Sequence, residues 1–370
     1  MTSMDKTSLT RYMNLAIQSA EKARGKCSPN PFVGAVIVNN GKVISTGWTQ
    51  SYGEDHAEVQ AIKKAGKAAR GADIFVTLEP CSHYGKTPPC ALAVIKAGIK
   101  RVFVGIEDPN PLVSGKGMDM LKNAGIGVQQ GLLKDKITRQ LEEYLCYIKA
   151  KRPFVTLKTA LSLDGKFAAS DGSSRWITGE KTRRYVHKLR SEHDVILTGI
   201  KTVLVDDPLL NVRLPGKPKQ PLRAVLDPLL QIPVVSKLVQ SAPQSPVLVF
   251  CSIELPDSDK TKKLEEMGVQ LCRLAIRDGL FEPADVLNEL YNRKHYSVML
   301  ETGSLLAESF LRDGLVDKLK FFYGPLLIGG ENSPFPTLGV ENMANAIKLK
   351  DITLRRFEDD IMLTAYPVWD

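Results

Sequence analysis

The stretch HAEVQAIKKAGKAARGADIFVTLEPCSHYGKTPPCALAVIKAGI, residues 56–99, decides the fold of the first half of the chain. Within it, EVQAIKKAGKAA (58–69) carries apolar residues at helical spacing, DIFVTLEP (73–80) has the length and content of a strand, and ALAVIKAGI (91–99) returns to helical spacing. Upstream, PFVGAVIV (31–38) and KVISTGW (42–48) form a strand pair turned at Asn40-Gly41, the dipeptide that a tight hairpin favours. Downstream, RVFVGIEDP (101–109), GMDMLKNAGI (117–126) and GVQQGL (127–132) continue the alternation. The order is ββαβαβαβ, an α/β sheet covered by helices.

The same stretch carries the strongest chemical signal: His56-Ala57-Glu58, then Pro80-Cys81, then Pro89-Cys90. One imidazole and two thiolates are borderline-soft ligands suited to Zn²⁺, and three protein ligands leave the fourth position for water, whose pKa the metal lowers. Glu58, two residues from His56 at a helix start, can face that position without being a ligand and carry protons there. A structural zinc, or two unrelated cysteines beside a surface histidine, is the alternative. Three ligands and one free carboxylate suit hydrolysis better than a closed structural site.

A chain of 370 residues suits two domains, and 43% hydrophobic with 25% charged residues is globular rather than disordered or collagen-like. KAKRP (149–153) is the boundary candidate, giving domains of 1–149 and 150–370. Beyond it lie FVTLKTAL (154–161), a helix near 180–191, HDVILTGI (193–200), LRAVLD (222–227), PVLVFC (246–251), YSVMLE (296–301), a helix near 304–313 and KLKFFYGPLLI (318–328), again α/β. LTGIKTVLVDDPLLNVR (197–213) is expected to join a strand to an acidic loop. LETGSLLAESFL (300–311) passes from strand through Thr-Gly-Ser into a helix, a turn able to cradle a phosphate. Neither G-x-G-x-x-G nor a Walker loop occurs.

The net charge of +9 is uneven: residues 1–150 carry +7 and the remainder +2. That excess suits either a nucleic acid or a small phosphorylated substrate. Six cysteines at irregular spacing exclude a secreted disulfide framework, and Cys27, Cys146, Cys251 and Cys272 have no spaced partners. Residues 9–24 read as an amphipathic helix rather than a leader, and no apolar run is long enough to cross a bilayer. A cytoplasmic protein with no membrane partner is expected.

HAE…PC…C resembles the zinc nucleobase deaminases, a class with this signature. Eight residues, not two, separate Cys81 from Cys90. With SPNPFVGAVIV upstream and GIEDPNPLVSGKG downstream, that longer loop resembles the deaminase half of the RibD family of bifunctional riboflavin-biosynthesis enzymes, and residues 154–370 are similar to its reductase half. The resemblance implies a cytidine-deaminase-like domain followed by a dihydrofolate-reductase-like domain, with Zn²⁺ and NADPH as cofactors. It implies deamination of 2,5-diamino-6-(5-phosphoribosylamino)pyrimidin-4(3H)-one, then reduction of the ribosyl group of 5-amino-6-(5-phosphoribosylamino)uracil to ribityl. Small phosphorylated pyrimidines would be the substrates, with no nucleic acid, and the assembly would be a dimer or larger.

Residue by residue, the resemblance implies that Asn30 reaches the pyrimidine, although an Asn between two prolines also stabilises turns. Ala160, Trp176, Thr202, Asp206 and Gly303-Ser304-Leu305 match cofactor-contacting positions; Ser174, Arg190, Leu210, Arg213 and Glu301 match substrate positions. Arg190 and Arg213 suit a phosphate clamp, because guanidinium forks engage phosphate bidentately. Lys158 and Asp206 are candidates for moving a proton. His83 is either a substrate contact or a solvated loop residue. Pro228 stands where the family often has a serine whose hydroxyl helps a cofactor phosphate. Two rivals follow from the residues alone: a nucleic-acid-editing deaminase with an accessory domain, and a non-catalytic zinc scaffold.

Overall fold

The computed structural model describes residues 5–216 and 218–369, and the chain divides into two compact units, Met1–Lys151 and Arg152–Asp370. In the first unit the elements are α1 (Lys6–Ala20), β1 (Gly34–Asn39), β2 (Lys42–Trp48), α2 (Ala57–Ala65), β3 (Asp73–Leu78), α3 (Cys90–Lys96), β4 (Arg101–Ile106), α4 (Lys116–Asn123), β5 (Gly127–Gln130), α5 (Lys134–Gln140) and α6 (Glu142–Ala150). Asn40 and Gly41 both adopt positive φ, 48° and 74°, as the β1–β2 hairpin requires. The sheet order is β2-β1-β3-β4-β5, with β3, β4 and β5 parallel.

Two glycines fix where the helices lie. A side chain on Gly34 would meet the Ala16 carbonyl of α1 at 2.0 Å, and one on Gly47 the Ala57 carbonyl of α2 at 2.1 Å. Ala35 pairs with Gly47, so Gly34 and Gly47 point to opposite faces and the two helices cover opposite sides of the sheet. Strand β3 is therefore buried at every position. Phe75 stacks on Phe103 at 4.4 Å and meets Tyr12 of α1 at 5.3 Å, closing one face.

The second unit holds β6 (Phe154–Ser162), α7 (Glu180–Glu192), β7 (Val195–Gly199), α8 (Ile200–Asp206), β8 (Leu222–Leu226), α9 (Lys237–Gln240), β9 (Val247–Ser252), α10 (Asp259–Glu266), β10 (Val269–Leu274), α11 (Pro283–Asn292), β11 (Ser297–Leu300), α12 (Ser304–Arg312), β12 (Lys318–Gly324), β13 (Leu349–Phe357) and β14 (Asp360–Pro367). One nine-stranded sheet runs β10-β9-β8-β7-β11-β6-β12-β14-β13, parallel from β10 to β12 and antiparallel at β14 and β13. Alternate strand residues divide between two cores. Leu157, Leu197, Phe250 and Leu300 pack with Leu287 of α11 and Phe310 of α12; Ile196, Val225, Val249 and Met299 pack with Leu189 of α7 and Leu264 of α10.

The segment after β7 departs from the sequence expectation. Residues Ile200–Asp206 form a short helix rather than a loop, with only Val203 of its residues buried. One buried residue leaves no apolar stripe to read. No helix among the described residues is long and apolar enough to cross a membrane.

Candidate functional sites

Two helix starts and one strand end meet in the first unit. His56 is the extended residue before α2, Glu58 lies in the first turn of that helix, Cys90 opens α3, and Cys81 follows the end of β3 by three residues. The positive ends of both helix dipoles therefore converge on two sulfurs, which favours thiolate. His56 Nδ1 lies 3.6 Å from Cys81 Sγ and 3.2 Å from Cys90 Sγ, and the three donor atoms lie within 4.8 Å of one another. A tetrahedral zinc with bonds of about 2.0 Å to nitrogen and 2.3 Å to sulfur places such atoms about 3.5 Å apart. The donor set fits zinc in both chemistry and spacing.

The eight-residue gap does not disturb this arrangement. The Cys90 amide donates to Cys81 Sγ at 3.3 Å, and the Ala91 amide donates to the Cys81 carbonyl at 3.2 Å. Those bonds close the loop at its base. A hydrogen bond from the Cys90 thiol, more than the one from its amide, holds the Cys81 thiol down to about 4 against burial, helped by His56, while the Cys90 thiol is pushed up by that side-chain bond and by its own burial. Glu58 is 3% exposed. Burial, then the Cys81 thiolate, raises its carboxyl to about 7 against the opposing charge of His56.

A cavity of about 220 Å³ opens beside the ligands, and Asn30, Tyr52, Glu54, His83 and Lys86 contribute to its wall. Asn30 is held by its own turn: its amide donates to the Cys27 carbonyl at 2.8 Å and its carbonyl accepts from Cys27 Sγ at 3.2 Å. Lys86 Nζ sits 4.1 Å over the Tyr52 ring. His83 Nδ1 is buried with no hydrogen-bond partner among the described residues. Tyr52, Glu54 and Lys86 escape sequence inspection because they stand at no motif spacing; a cation inside the unusual insert is their only signal.

In the second unit a cavity of about 110 Å³ is walled by Lys158, Ala160, Phe167, Glu301, Gly303 and Ser304, among others. Arg190 Nε and Nη2 donate to the two Glu301 oxygens at 3.0 and 2.8 Å, and Lys158 Nζ lies 3.5 Å from Oε1. Arg190 Nη1 donates to the Asn211 carbonyl at 3.2 Å, while Arg213 Nη1 donates to Asn211 Oδ1 at 3.0 Å. Leu210, beside them, is buried with φ 50°. Arg213 is pushed below its ordinary pKa by burial and then by the like charge of Arg190. The two guanidiniums share Asn211 as a partner.

Burial pushes Glu301 up, but the charges and hydrogen bonds of Arg190 and Lys158 outweigh it and hold the carboxyl at about 2, against an ordinary 4.5. Between those values the unfolded chain takes a proton that the native chain refuses, so native stability rises with pH. The contribution, about 3 kcal/mol, is complete above pH 5 and lost as pH falls from 4.5 towards 2. Urea denaturation of Glu301→Gln against wild type should show a gap at pH 7 that is about halved near pH 3 and closes only towards pH 2. A gap independent of pH would refute this.

Of the expected cofactor positions, Ala160, Gly303 and Ser304 line the same cavity, whereas Trp176, Thr202, Asp206 and Leu305 are not part of its wall. Gly303 precedes α12, no side chain caps that helix, and a side chain at Gly303 would meet nothing within 4 Å. Free helix N–H groups beside open space fit the phosphates of NADPH. Leu305 and Trp176 are 56% and 67% exposed, and Arg183 lies 4.5 Å over the Trp176 ring. Arg175 donates to Asp206 Oδ1 at 3.3 Å, tying the segment that carries Ser174 and Trp176 to the helix that carries Thr202. At the end of β8, the Asp227 carboxylate accepts from the Gln231 and Ile232 amides at 2.7 Å each, so that turn is closed on itself beside Pro228.

Comparison with known proteins agrees with both halves. Residues 6–106 match the model of the cytidine and deoxycytidylate deaminase zinc-binding region, and residues 153–363 match that of the RibD C-terminal domain. The riboflavin biosynthesis protein RibD of Bacillus amyloliquefaciens is 42% identical over 358 residues, covering 96% of this chain and 95% of that protein. Among solved structures, Acinetobacter baumannii RibD, form 1, aligns with a TM-score of 0.89 at 35% identity over 99% of this chain and 100% of its own. A Thermotoga maritima protein described as a diaminohydroxyphosphoribosylaminopyrimidine deaminase/5-amino-6-(5-phosphoribosylamino)uracil reductase aligns with a TM-score of 0.86 at 35% identity, covering 98% and 99% of the two chains. With a zinc-type donor set in one unit and relatives matched along nearly the whole length of both, this chain belongs to the RibD family.

Proposed function

We propose that the chain is a bifunctional enzyme of riboflavin biosynthesis, a hydrolytic deaminase in its first unit and an NADPH-dependent reductase in its second. The observation that carries the proposal is the meeting of His56, Cys81 and Cys90 with the buried, non-ligand Glu58 in a chain whose second half matches the RibD reductase model. A nucleic-acid-editing deaminase has no use for that second half.

The first substrate is 2,5-diamino-6-(5-phosphoribosylamino)pyrimidin-4(3H)-one, which loses its 2-amino group as ammonia. His56, Cys81 and Cys90 hold the zinc, and zinc when bound supplies a Lewis acid that lowers the pKa of water. Glu58 takes the proton of the attacking water and returns it to the ring nitrogen and the departing amine, a task suited to a buried carboxyl that stands beside the ligands without being one. Asn30 hydrogen-bonds the pyrimidine, and Lys86, with His83 in the same wall, meets the phosphate end.

The second substrate is 5-amino-6-(5-phosphoribosylamino)uracil, whose ribosyl group becomes ribityl. NADPH when bound supplies the hydride. The N–H groups of Gly303, Ser304 and Leu305 would hold its phosphate, and Ala160, Trp176, Thr202 and Asp206 would complete its binding site. Arg190 and Arg213 hold the substrate phosphate, Ser174, Leu210 and Glu301 fix the sugar, and Lys158 holds the proton that the opened ring takes up. The protein is read as a cytoplasmic homo-oligomer, a dimer or larger, acting on small phosphorylated pyrimidines.

With the diaminopyrimidine ribotide as sole substrate, the protein should release ammonia and consume NADPH in equal amounts. Ammonia without NADPH loss would remove the reductase half of the proposal. At Gly303 the backbone carries no strain, with φ −72°, and a Cβ meets nothing, so Gly303→Val should fold, with a loss of about 1 kcal/mol for a poorer N-cap. Its valine would occupy the cofactor's space. Fluorescence titration should show NADPH affinity down at least about tenfold, roughly 1.4 kcal/mol. Unchanged affinity would move the phosphate elsewhere.

A further inference from the structure

Glu79 stands two residues before Cys81, is 3% exposed, and has no part in the chemistry above. Among the described residues it pairs with no Lys, Arg or His; four backbone amides donate to it instead. Gly117 N at 3.0 Å and Met118 N at 3.1 Å reach Oε1, while Gly115 N at 3.0 Å and Asp108 N at 3.2 Å reach Oε2. Three of these amides belong to the start of α4, whose dipole favours the negative charge. The Glu79 amide also donates to the Ile106 carbonyl at 3.0 Å, pairing this residue with the end of β4.

The next residue is held by a second, independent contact. A side chain on Gly117 would lie 1.9 Å from the Pro80 carbonyl, so the peptide joined to the Cys81 nitrogen rests directly on the first turn of α4. Beyond Cys81 the chain enters an exposed loop, with Tyr84 76% exposed. Cys81 is therefore held from two sides, by the Cys90 and Ala91 amides across the loop and by Glu79 and the glycine contact on its N-terminal side.

We infer that Glu79 is a positioning residue for the metal site: it fixes Cys81 at its ligand position and so sets how tightly the metal is held. The inference rests on His56, Cys81 and Cys90 being zinc ligands. A glutamine at 79 offers one acceptor oxygen and turns N–H groups toward amides that need acceptors.

The test uses the full chain. Zinc affinity is measured by competition with a chromophoric chelator, and the cobalt-substituted protein is followed by visible absorption, for wild type, Glu79→Gln, Glu79→Asp and His56→Ala. Glu79→Gln should bind zinc about 10- to 100-fold more weakly, shift the cobalt bands and recover ammonia release as zinc is raised. Reduction of the deaminated substrate should not change. Glu79→Asp, which keeps the charge one methylene short, should fall between and carries the test if the glutamine variant does not fold. Wild-type zinc affinity with an unchanged cobalt spectrum in both variants, even with a lower melting temperature, would make Glu79 a fold tie only and overturn the inference. Wild-type affinity in His56→Ala would instead overturn the ligand assignment beneath it.

Discussion

Glu58→Gln should lower ammonia release by about 10³-fold while leaving zinc content and the reductase reaction on the deaminated substrate intact. The side chain is buried at the start of α2, so an amide of the same shape replaces the carboxyl without opening a cavity. What it cannot do is accept a proton. The native carboxyl is suited to that task because it is buried at the helix start beside the three ligands and is not itself one of them. Three measurements on one preparation separate the possibilities: ammonia, bound zinc, and NADPH oxidation with 5-amino-6-(5-phosphoribosylamino)uracil supplied. A variant within tenfold of wild type would show that Glu58 does not carry the proton. Lost zinc would show that it supports the ligands rather than the reaction.

The second large effect belongs to Arg190. Its guanidinium grips both oxygens of Glu301 and is 9% exposed, so Arg190→Ala leaves a buried carboxylate with Lys158 alone, 3.5 Å away. Breaking a buried pair on one side costs about 3–5 kcal/mol, enough to lower the melting temperature of a unit this size by about 10 °C. Below that temperature the reductase KM for the phosphoribosyl substrate should rise about 10- to 100-fold, the worth of a charged hydrogen bond to phosphate. Arg190→Lys discriminates the two effects, because it keeps the charge and loses the fork. It should recover most of the stability and little of the affinity. Equal recovery of both would mean that Arg190 serves Glu301 alone.

Much of the first unit was legible because its strands are short apolar runs between helices with clear periodicity. The ββαβαβαβ order corresponds to β1, β2, α2, β3, α3, β4, α4 and β5. The ligand set was legible because His, Cys and Cys announce themselves by chemistry. Elements that bury little were silent. Strand β13 is exposed at nearly every position, and α10 buries only Thr261 and Leu264, so neither shows an apolar face. The Arg190–Glu301–Lys158 cluster draws on three separate elements, and no local spacing announces it. Glu79 was passed over inside a quoted motif, because a carboxylate held by backbone amides leaves no mark in the residue types around it.

The hydrogen bonds at the foot of the Cys81–Cys90 loop separate two properties that enzymes often have to change together. Cys90 N and Ala91 N bind Cys81 directly, so the two cysteines are tied to each other at the foot of the loop rather than through it. Yet that intervening segment supplies His83, Gly85, Lys86 and Thr87 to the cavity wall. Substitutions there are expected to alter which pyrimidine is accepted while leaving the two zinc-binding sulfurs tied to each other.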